Sequence, residues 1–305
     1  MPGFFINISD MSSEPQVSEK QQTTGIKDNA PVIAIQGYEG SFHQVAANHF
    51  FENNVQVVCC DNFRDVVRIA SHKKESDGGI MAIENSIAGS ILPNYNLLQK
   101  SRLKIVGEIY LHIVQNLMVN RGVKLEDIRE VHSHPMALQQ CLEFLEKHDW
   151  KLIESEDTAL SAKMLKESGS THIAAIASSL AAELFDLDII APDIHTQKYN
   201  YTRFLVVQHE DLAEVVQDAD KSSVYFHTDH SKGSLAKVLT TISDGGINLS
   251  KLQSSPLPGT TFRYAFHADM EFDSLDQFYK VIRDLKPITE DLKIYGVYQK
   301  GKHYS

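Results

Sequence analysis

From Pro31 to about residue 209 the chain keeps switching between two hydrophobic rhythms, and this alternation restricts the fold more than any single motif. PVIAIQG (31–37), VQVVCC (55–60) and GGIMAIENS (78–86) are short apolar runs of strand character, bounded by glycine or polar residues. Between them lie amphipathic stretches at helical spacing. In SFHQVAANHFF, Phe42, Val45, Ala46 and Phe50 fall on one face, with His43 and His49 expected along the helix surface; NFRDVVRIASHK starts at Asn62, a natural N-cap. LKIVGEIYLHIVQNLMVN contains one or two long strands, and REVHSHPMALQQCLEFLEKH a strand followed by a helix. THIAAIASSLAAELF, LDIIAPDI and TRFLVVQ continue the theme. Such a pattern predicts an α/β domain over 31–209 with a mostly parallel sheet.

The composition shifts at 210–221, EDLAEVVQDADK, where five acids accompany one lysine; this segment reads as a linker. The remainder, 222–300, runs strand, helix, strand, strand, helix, strand, the ferredoxin-like βαββαβ order. Residues 1–30 are polar beyond FFINI, lack a basic start and carry Asp10, Glu14 and Glu19, so they read as a flexible tail rather than a signal or transit peptide. No stretch is long enough to span a bilayer. The net charge of -11 offers no basic footprint for nucleic acid or for an anionic membrane. An anionic small substrate would then need local positive potential at its site. Cys59, Cys60 and Cys141 make no disulfide framework, which points to a reducing compartment, the cytoplasm.

Four polar loops sit at strand ends. QGYEGSF places Gly37, Gly40 and Ser41 before a helix, where free backbone N–H groups can face an anion. AIENSIAGSI places Glu84, Asn85 and Ser86 at a strand end with Gly89 close behind. In VHSHPMAL, Pro135 suits a first helical turn, so Ser133 or His134 is the cap. Finally Thr202 and Arg203 stand at the mouth of an apolar strand that begins at Phe204. Taken singly each is a cap or a turn. Together, at the strand ends of an α/β sheet, they converge on one crevice. His132 and His134 have no third ligand at suitable spacing, so no metal site is expected. A guanidinium beside a buried strand needs a partner, and a substrate carboxylate would supply one bidentately.

In this order GYEGSFHQVAA, AIENSIAGSI, SHPMALQQCLEFL and NYTRF resemble the motifs of prephenate dehydratase, and GSLAKVL…GGINLSKLQSSP resembles the ACT regulatory domain that follows it. The resemblance covers residues 31 to about 300. It implies a two-lobed catalytic domain like the type II periplasmic binding proteins, followed by an ACT domain. It also implies conversion of prephenate to phenylpyruvate in L-phenylalanine biosynthesis, with loss of carbon dioxide and water and no cofactor. Thr202 is then the catalytic residue. Arg203, Phe204, Asn85, Ser86, Gly40, Ser41, Ser133 and His134 bind substrate. ACT domains pair edge to edge, which implies a homodimer or homotetramer. L-phenylalanine is the implied effector, at Gly233, Ser234, Leu235, Asn248, Leu249, Gln253 and Ser254. One departure stands out: the family's Glu-Ser-Arg-Pro sensing motif is here Gln253-Ser254-Ser255-Pro256. Two rival readings remain: arogenate dehydratase, which shares the motifs, and a non-catalytic amino-acid sensor.

Overall fold

The structure, a computed structural model, describes residues 30–304 apart from 215, 258 and 262; the expected N-terminal tail lies outside the described residues. In chain order the elements are β1 (Val32–Gln36), α1 (Phe42–Phe50), β2 (Gln56–Cys60), α2 (Phe63–Ala70), β3 (Gly78–Asn85), β4 (Gly89–Ser90), α3 (Leu92–Lys100) and β5 (Leu103–His112). Next come β6 (Asn116–Val119), β7 (Glu130–Ser133), α4 (Pro135–Gln140), α5 (Leu142–Leu145), β8 (Lys151–Glu154), α6 (Thr158–Ser168), β9 (Ile173–Ala177), α7 (Ser179–Leu184), β10 (Asp188–Ala191) and β11 (Tyr201–His209). The C-terminal part holds β12 (Lys221–His227), α8 (Ser234–Asp244), β13 (Asn248–Pro256), β14 (Tyr264–Glu271), α9 (Leu275–Leu285), β15 (Glu290–Tyr298) and β16 (His303–Tyr304).

These strands form three sheets. The first has the order β16-β5-β11-β3-β1-β2, with β4 on β3; the second is β10-β6-β9-β7-β8; the third is β13-β14-β12-β15. The first sheet is not mostly parallel as the sequence predicted. β1 runs parallel to β2 and β3, but β11 is antiparallel to both β3 and β5. The reason is the path of the chain. It leaves the first lobe at the end of β5, builds the whole second lobe, and returns through 192–200 into β11, which therefore enters the sheet from the opposite end. The two crossings are bonded to each other where Ile113 N–H donates to the Asn200 carbonyl at 2.7 Å.

Local signals account for the helix starts. Asn62 Oδ1 accepts from Arg64 N and Asp65 N, and Asp157 Oδ1 accepts from Ala159 N and Leu160 N. His43 departs from its expected surface position. It is buried against Phe204, with ring centroids 5.0 Å apart and edge-on, and its Nε2 lies 3.4 Å from Ala82 N. Burial lowers its pKa to about 3.

The βαββαβ order read from the sequence is present over 221–298, with all strand pairs antiparallel. Two boundaries differ from expectation. Lys221 opens β12 rather than ending a linker, and after β15 the chain runs back to the first lobe, where β16 pairs parallel with β5. Glycine permits this docking: a Cβ on Gly296 would overlap the Ile105 carbonyl, and one on Gly301 the Glu108 carbonyl. Among the described residues no helix is long and apolar enough to cross a membrane.

Candidate active site

β3 and β11 end side by side, with Asn85 opposite Thr202. Asn85 is the hub of the polar groups there. Its Oδ1 accepts from Ile87 N and Ala88 N, both at 2.9 Å, which folds the turn after β3. Its Nδ2 lies 2.7 Å from Asn200 Oδ1 and 3.0 Å from Thr202 Oγ1. Asn200 Nδ2 in turn donates to Gln140 Oε1 at 3.2 Å, and Gln115 Nε2 reaches the same oxygen at 3.4 Å. A continuous run of amide side chains thus passes from Thr202 in the first lobe to α4 and β6 in the second. It borders a cleft of about 470 Å³, to which Ile87, Ala88, Met136, Gln140, His195 and Asn200 contribute. Among the described residues no lysine or arginine lines this cleft, and the one formal charge on its lining is Glu143. Thr202 is itself 8% exposed and sits behind Asn200, joined to it through Asn85 by two hydrogen bonds. Because Asn85 Nδ2 donates to its oxygen, the Thr202 O–H hydrogen is not committed to Asn85.

Arg203 does not face this cleft, which corrects the expectation that it grips a substrate carboxylate. Successive strand residues point to opposite faces, and Arg203 points toward the C-terminal unit. There its Nε and Nη2 both lie 2.7 Å from Glu108 Oε2, Nη1 pairs with Asp269, and Nη2 reaches Tyr298 Oη at 3.2 Å. Lys221 Nζ donates to Glu108 Oε1 at 2.8 Å and to Tyr110 Oη at 3.0 Å, and Ser223 Oγ donates to Asp269 Oδ1 at 2.5 Å. All the ionic groups of this seam are buried. Burial alone would raise the Asp269 pKa, but the charge and hydrogen bond of Arg203, with the Ser223 hydroxyl, outweigh it and hold the carboxyl below its ordinary range. Burial and Arg203 would likewise lower the Lys221 pKa, yet Glu108 and Tyr110 leave it raised. The fork that the sequence left unpartnered is satisfied within the chain.

Residues 33–212 match the family described as prephenate dehydratase. The chain belongs to the prephenate dehydratase family. It is 33% identical over 293 residues to arogenate dehydratase/prephenate dehydratase 2, chloroplastic, of Arabidopsis thaliana, an alignment covering 92% of this chain and 76% of that one. The solved prephenate dehydratase of Staphylococcus aureus superposes with a TM-score of 0.75 at 26% identity, covering 88% of this chain and 99% of that one. A protein described as a novel type of quorum-quenching acylase superposes with a TM-score of 0.79 at 27% identity, covering 88% and 98%.

Within this prephenate dehydratase scaffold the other expected site residues are distributed unevenly. Ser86 stands with Asn85 and Thr202: its Oγ donates to the Tyr199 carbonyl at 3.0 Å and accepts from Tyr201 N at 2.9 Å, which fixes the approach to β11. Gly40 and Ser41 lie where the lobes touch. The Gly40 carbonyl accepts from Ser178 Oγ at 2.6 Å, a Cβ there would come 2.9 Å from Ala181 Cα, and Ser41 caps α1. Ser133 is fully buried and donates to the Ile176 carbonyl at 2.7 Å, while His134 is the cap of α4, accepting from Met136 N through Nδ1. Phe204 is a core residue packed on His43.

The expected effector residues form two groups, at the start of α8 and along β13, an edge strand of the third sheet. Gly233 adopts φ 84°, Ser234 Oγ lies 2.9 Å from the Asp229 and Ser231 carbonyls, and Leu235 packs against the hydrophobic core of the C-terminal unit. Asn248 and Leu249 open β13, and Gln253 Nε2 donates to the Ser254 carbonyl. Gln115, Gln140, His195 and Asn200 meet at or beside the cleft, and the sequence did not single them out. Asn200 lay within the NYTRF motif and could have been taken from it. Nothing local distinguishes Gln140 from Gln139 on α4, or the other two from ordinary polar residues.

Proposed function

We propose that this protein is a prephenate dehydratase that converts prephenate to phenylpyruvate, and that L-phenylalanine controls it through the C-terminal βαββαβ unit, read as an ACT domain. The observation that carries the reading is the run of hydrogen bonds from Thr202 through Asn85 and Asn200 to Gln140 at the border of the cleft. In the reaction the electron pair of the ring carbon–carboxylate bond moves into the ring as carbon dioxide leaves. The ring hydroxyl departs as hydroxide and takes up a proton. Aromatisation drives the step, so the enzyme's part is to orient the substrate and to place a donor at the leaving oxygen. Asn85 holds the Thr202 oxygen so that its O–H can fill that role, with water as the proton source. Closure of the two lobes over the substrate would exclude bulk water. Incubation with prephenate, followed by the absorbance of phenylpyruvate enolate in base, tests the reading; no product at high enzyme concentration would reject it.

Arogenate, with an ammonium in place of the side-chain keto oxygen, is the second reading. Glu143 on a cleft without lysine or arginine favours a substrate that carries a cation, and one relative bears both activities in its name. Parallel kinetics on the two substrates separate the readings. The three cysteines are free thiols, which supports a reducing, cytoplasmic setting.

For the C-terminal unit, the exposed edge of β13 suits pairing with a second copy, giving a homodimer or homotetramer. Effector binding there rests on the turn at Gly245 and Gly246 and the backbone N–H groups near Asn248 and Leu249. Gln253 and Ser255 remove the charges of the usual sensing motif, so L-phenylalanine should inhibit less tightly than in relatives that retain them. Titration calorimetry reads this out; no heat at millimolar ligand together with no inhibition would reduce the unit to a dimerisation module.

A further inference from the structure

With Arg203 committed to the seam, no lysine or arginine among the described residues lines the cleft to meet the carboxylate of an anionic substrate. One buried side chain on its lining has an uncommitted polar atom. His195 lines the cleft, is 1% exposed, and its Nε2 is buried without a hydrogen-bond partner among the described residues. Its backbone is held on both sides, by Ile194 N donating to the Gln115 carbonyl at 2.9 Å and Thr196 N donating to the Gln140 carbonyl at 2.8 Å. The ring is held at its other nitrogen: Nδ1 lies 3.1 Å from Asp193 Oδ1 and 3.4 Å from Gln115 N. The imidazole is therefore fixed at one end and empty at the other. Buried polar atoms are almost always paired, so an orphan at the edge of a cleft marks where a ligand atom belongs.

The chemistry of the two ends decides what kind of atom that is. The Gln115 N–H can only donate, so a neutral ring that accepts it at Nδ1 carries its hydrogen on Nε2. A ring that donates from Nδ1 to Asp193 while protonated also carries a hydrogen on Nε2. Both of these states present a donor at Nε2; the third, a neutral ring that donates from Nδ1 to Asp193, leaves Nε2 bare and becomes a donor there only on protonation, which a bound anion favours. Around the ring stand Asp193 and Lys198 on its own segment and His112 on β5, with Glu143 of α5 on the same cleft. Burial, aided by Lys198 and His112, outweighs Asp193 and lowers the His195 pKa, which favours the neutral ring. A bound anion would reverse that balance and draw a second proton onto the ring, with Asp193 accepting from Nδ1.

We infer that His195 binds the substrate, its Nε2–H donating to a substrate carboxylate in the cleft. The inference rests on the reading of the protein as a dehydratase of prephenate or its amino analogue, both of which are carboxylates. His195 is then the anion-binding group that Arg203 was expected to be.

The experiment uses the full chain with prephenate, in wild type, His195→Leu and His195→Gln, with thermal unfolding as a check on folding. His195→Leu should raise KM by about tenfold or more, the loss of one charge-assisted hydrogen bond, while kcat changes far less. His195→Gln keeps an uncharged donor and should recover most of that loss near roughly pH 8, where the wild-type ring is neutral. Between about pH 8 and pH 5.5 the wild-type KM should fall as the imidazole gains its proton, and in His195→Gln that dependence should vanish. A KM unchanged in both variants, or a pH dependence retained in His195→Gln, overturns the inference. If His195→Leu does not fold, the pH profile of His195→Gln decides alone. A wild type with no turnover on either substrate overturns the proposed function and this inference with it, whereas an active wild type with indifferent variants overturns only the inference.

Discussion

Thr202 and Arg203 are consecutive on β11, yet one joins the run of neutral amides that borders an open cleft and the other lies in a closed seam of charges. On the cleft side, His195 Nε2 and Gln115 Oε1 are both buried and have no hydrogen-bond partner among the described residues. On the seam side Arg203, Glu108, Asp269, Lys221, Ser223 and Tyr298 satisfy one another. The difference separates two uses of buried polarity. Unsatisfied dipoles lower the stability of the empty protein and are completed by a ligand. Satisfied charges lock two parts of one chain in register, and breaking one leaves its partner uncompensated.

The largest expected effect is on the cleft side. Thr202→Ala should lower kcat by about 10²–10⁴-fold, the contribution of a positioned donor, roughly 3–5 kcal/mol of barrier, with the unfolding midpoint unchanged. A variant that keeps more than about a tenth of wild-type kcat removes Thr202 from the chemistry.

Across the strand, the prediction reverses. Arg203→Met should cost about 3–5 kcal/mol of stability in urea unfolding, because Glu108 and Asp269 would stay buried with their main counter-charge gone. Arg203→Lys keeps the charge but loses the fork and should fall between the two. If Arg203→Met unfolds at the wild-type urea concentration and only raises KM, the seam assignment is wrong and the carboxylate clamp returns.

A third effect is a pH dependence that belongs to the cores and not to the cleft. Burial lowers the pKa of His43 to about 3 and of His267, packed among Tyr95, Tyr225 and Tyr295, to about 4. Both values lie below that of an unfolded histidine, so the unfolded chain binds more protons and stability falls as pH drops below about 6.5. The loss continues until each folded ring protonates in its turn, and at about pH 5 it is on the order of 2 kcal/mol per ring. Asp269, with its pKa depressed, contributes stability above the ordinary carboxylate range and loses it only at lower pH. Urea unfolding at pH 7 and pH 5 should therefore show a slope that His267→Gln reduces and Thr202→Ala leaves alone; an identical slope in both variants would erase the contrast.

The smallest effect concerns the rim of the seam. Lys251 of β13 reaches Glu84 Oε1 at 2.5 Å and Ser90 Oγ at 2.7 Å, with Glu84 one residue from Asn85. Lys251→Met should cost about 1 kcal/mol or less and leave kcat unchanged, since partly solvated pairs contribute little. A drop in kcat would instead tie the C-terminal unit to the cleft through Glu84.

Local chemistry was enough to read much of this protein. Helix faces follow from apolar spacing, the caps at Asn62 and Asp157 follow from side chains that bond the next few N–H groups, and the βαββαβ order follows from two periodicities in turn. The motifs around Asn85, Ser86 and Thr202 were legible for the same reason: they are turns and strand ends that use nearby backbone. What each long side chain would bind was not legible. The partners of Arg203 lie 95 residues before it and 66 after it, and a guanidinium accepts a substrate carboxylate and a buried aspartate on equal chemical terms. The direction of β11, the return of β16 to β5 and the meeting of Gln115, Gln140 and His195 depend likewise on how the chain crosses between lobes. Sequence determined which groups could bind an anion; the tertiary structure decided which of them the fold had already consumed, because burial beside a counter-charge is set by packing across the chain and not by the residues on either side.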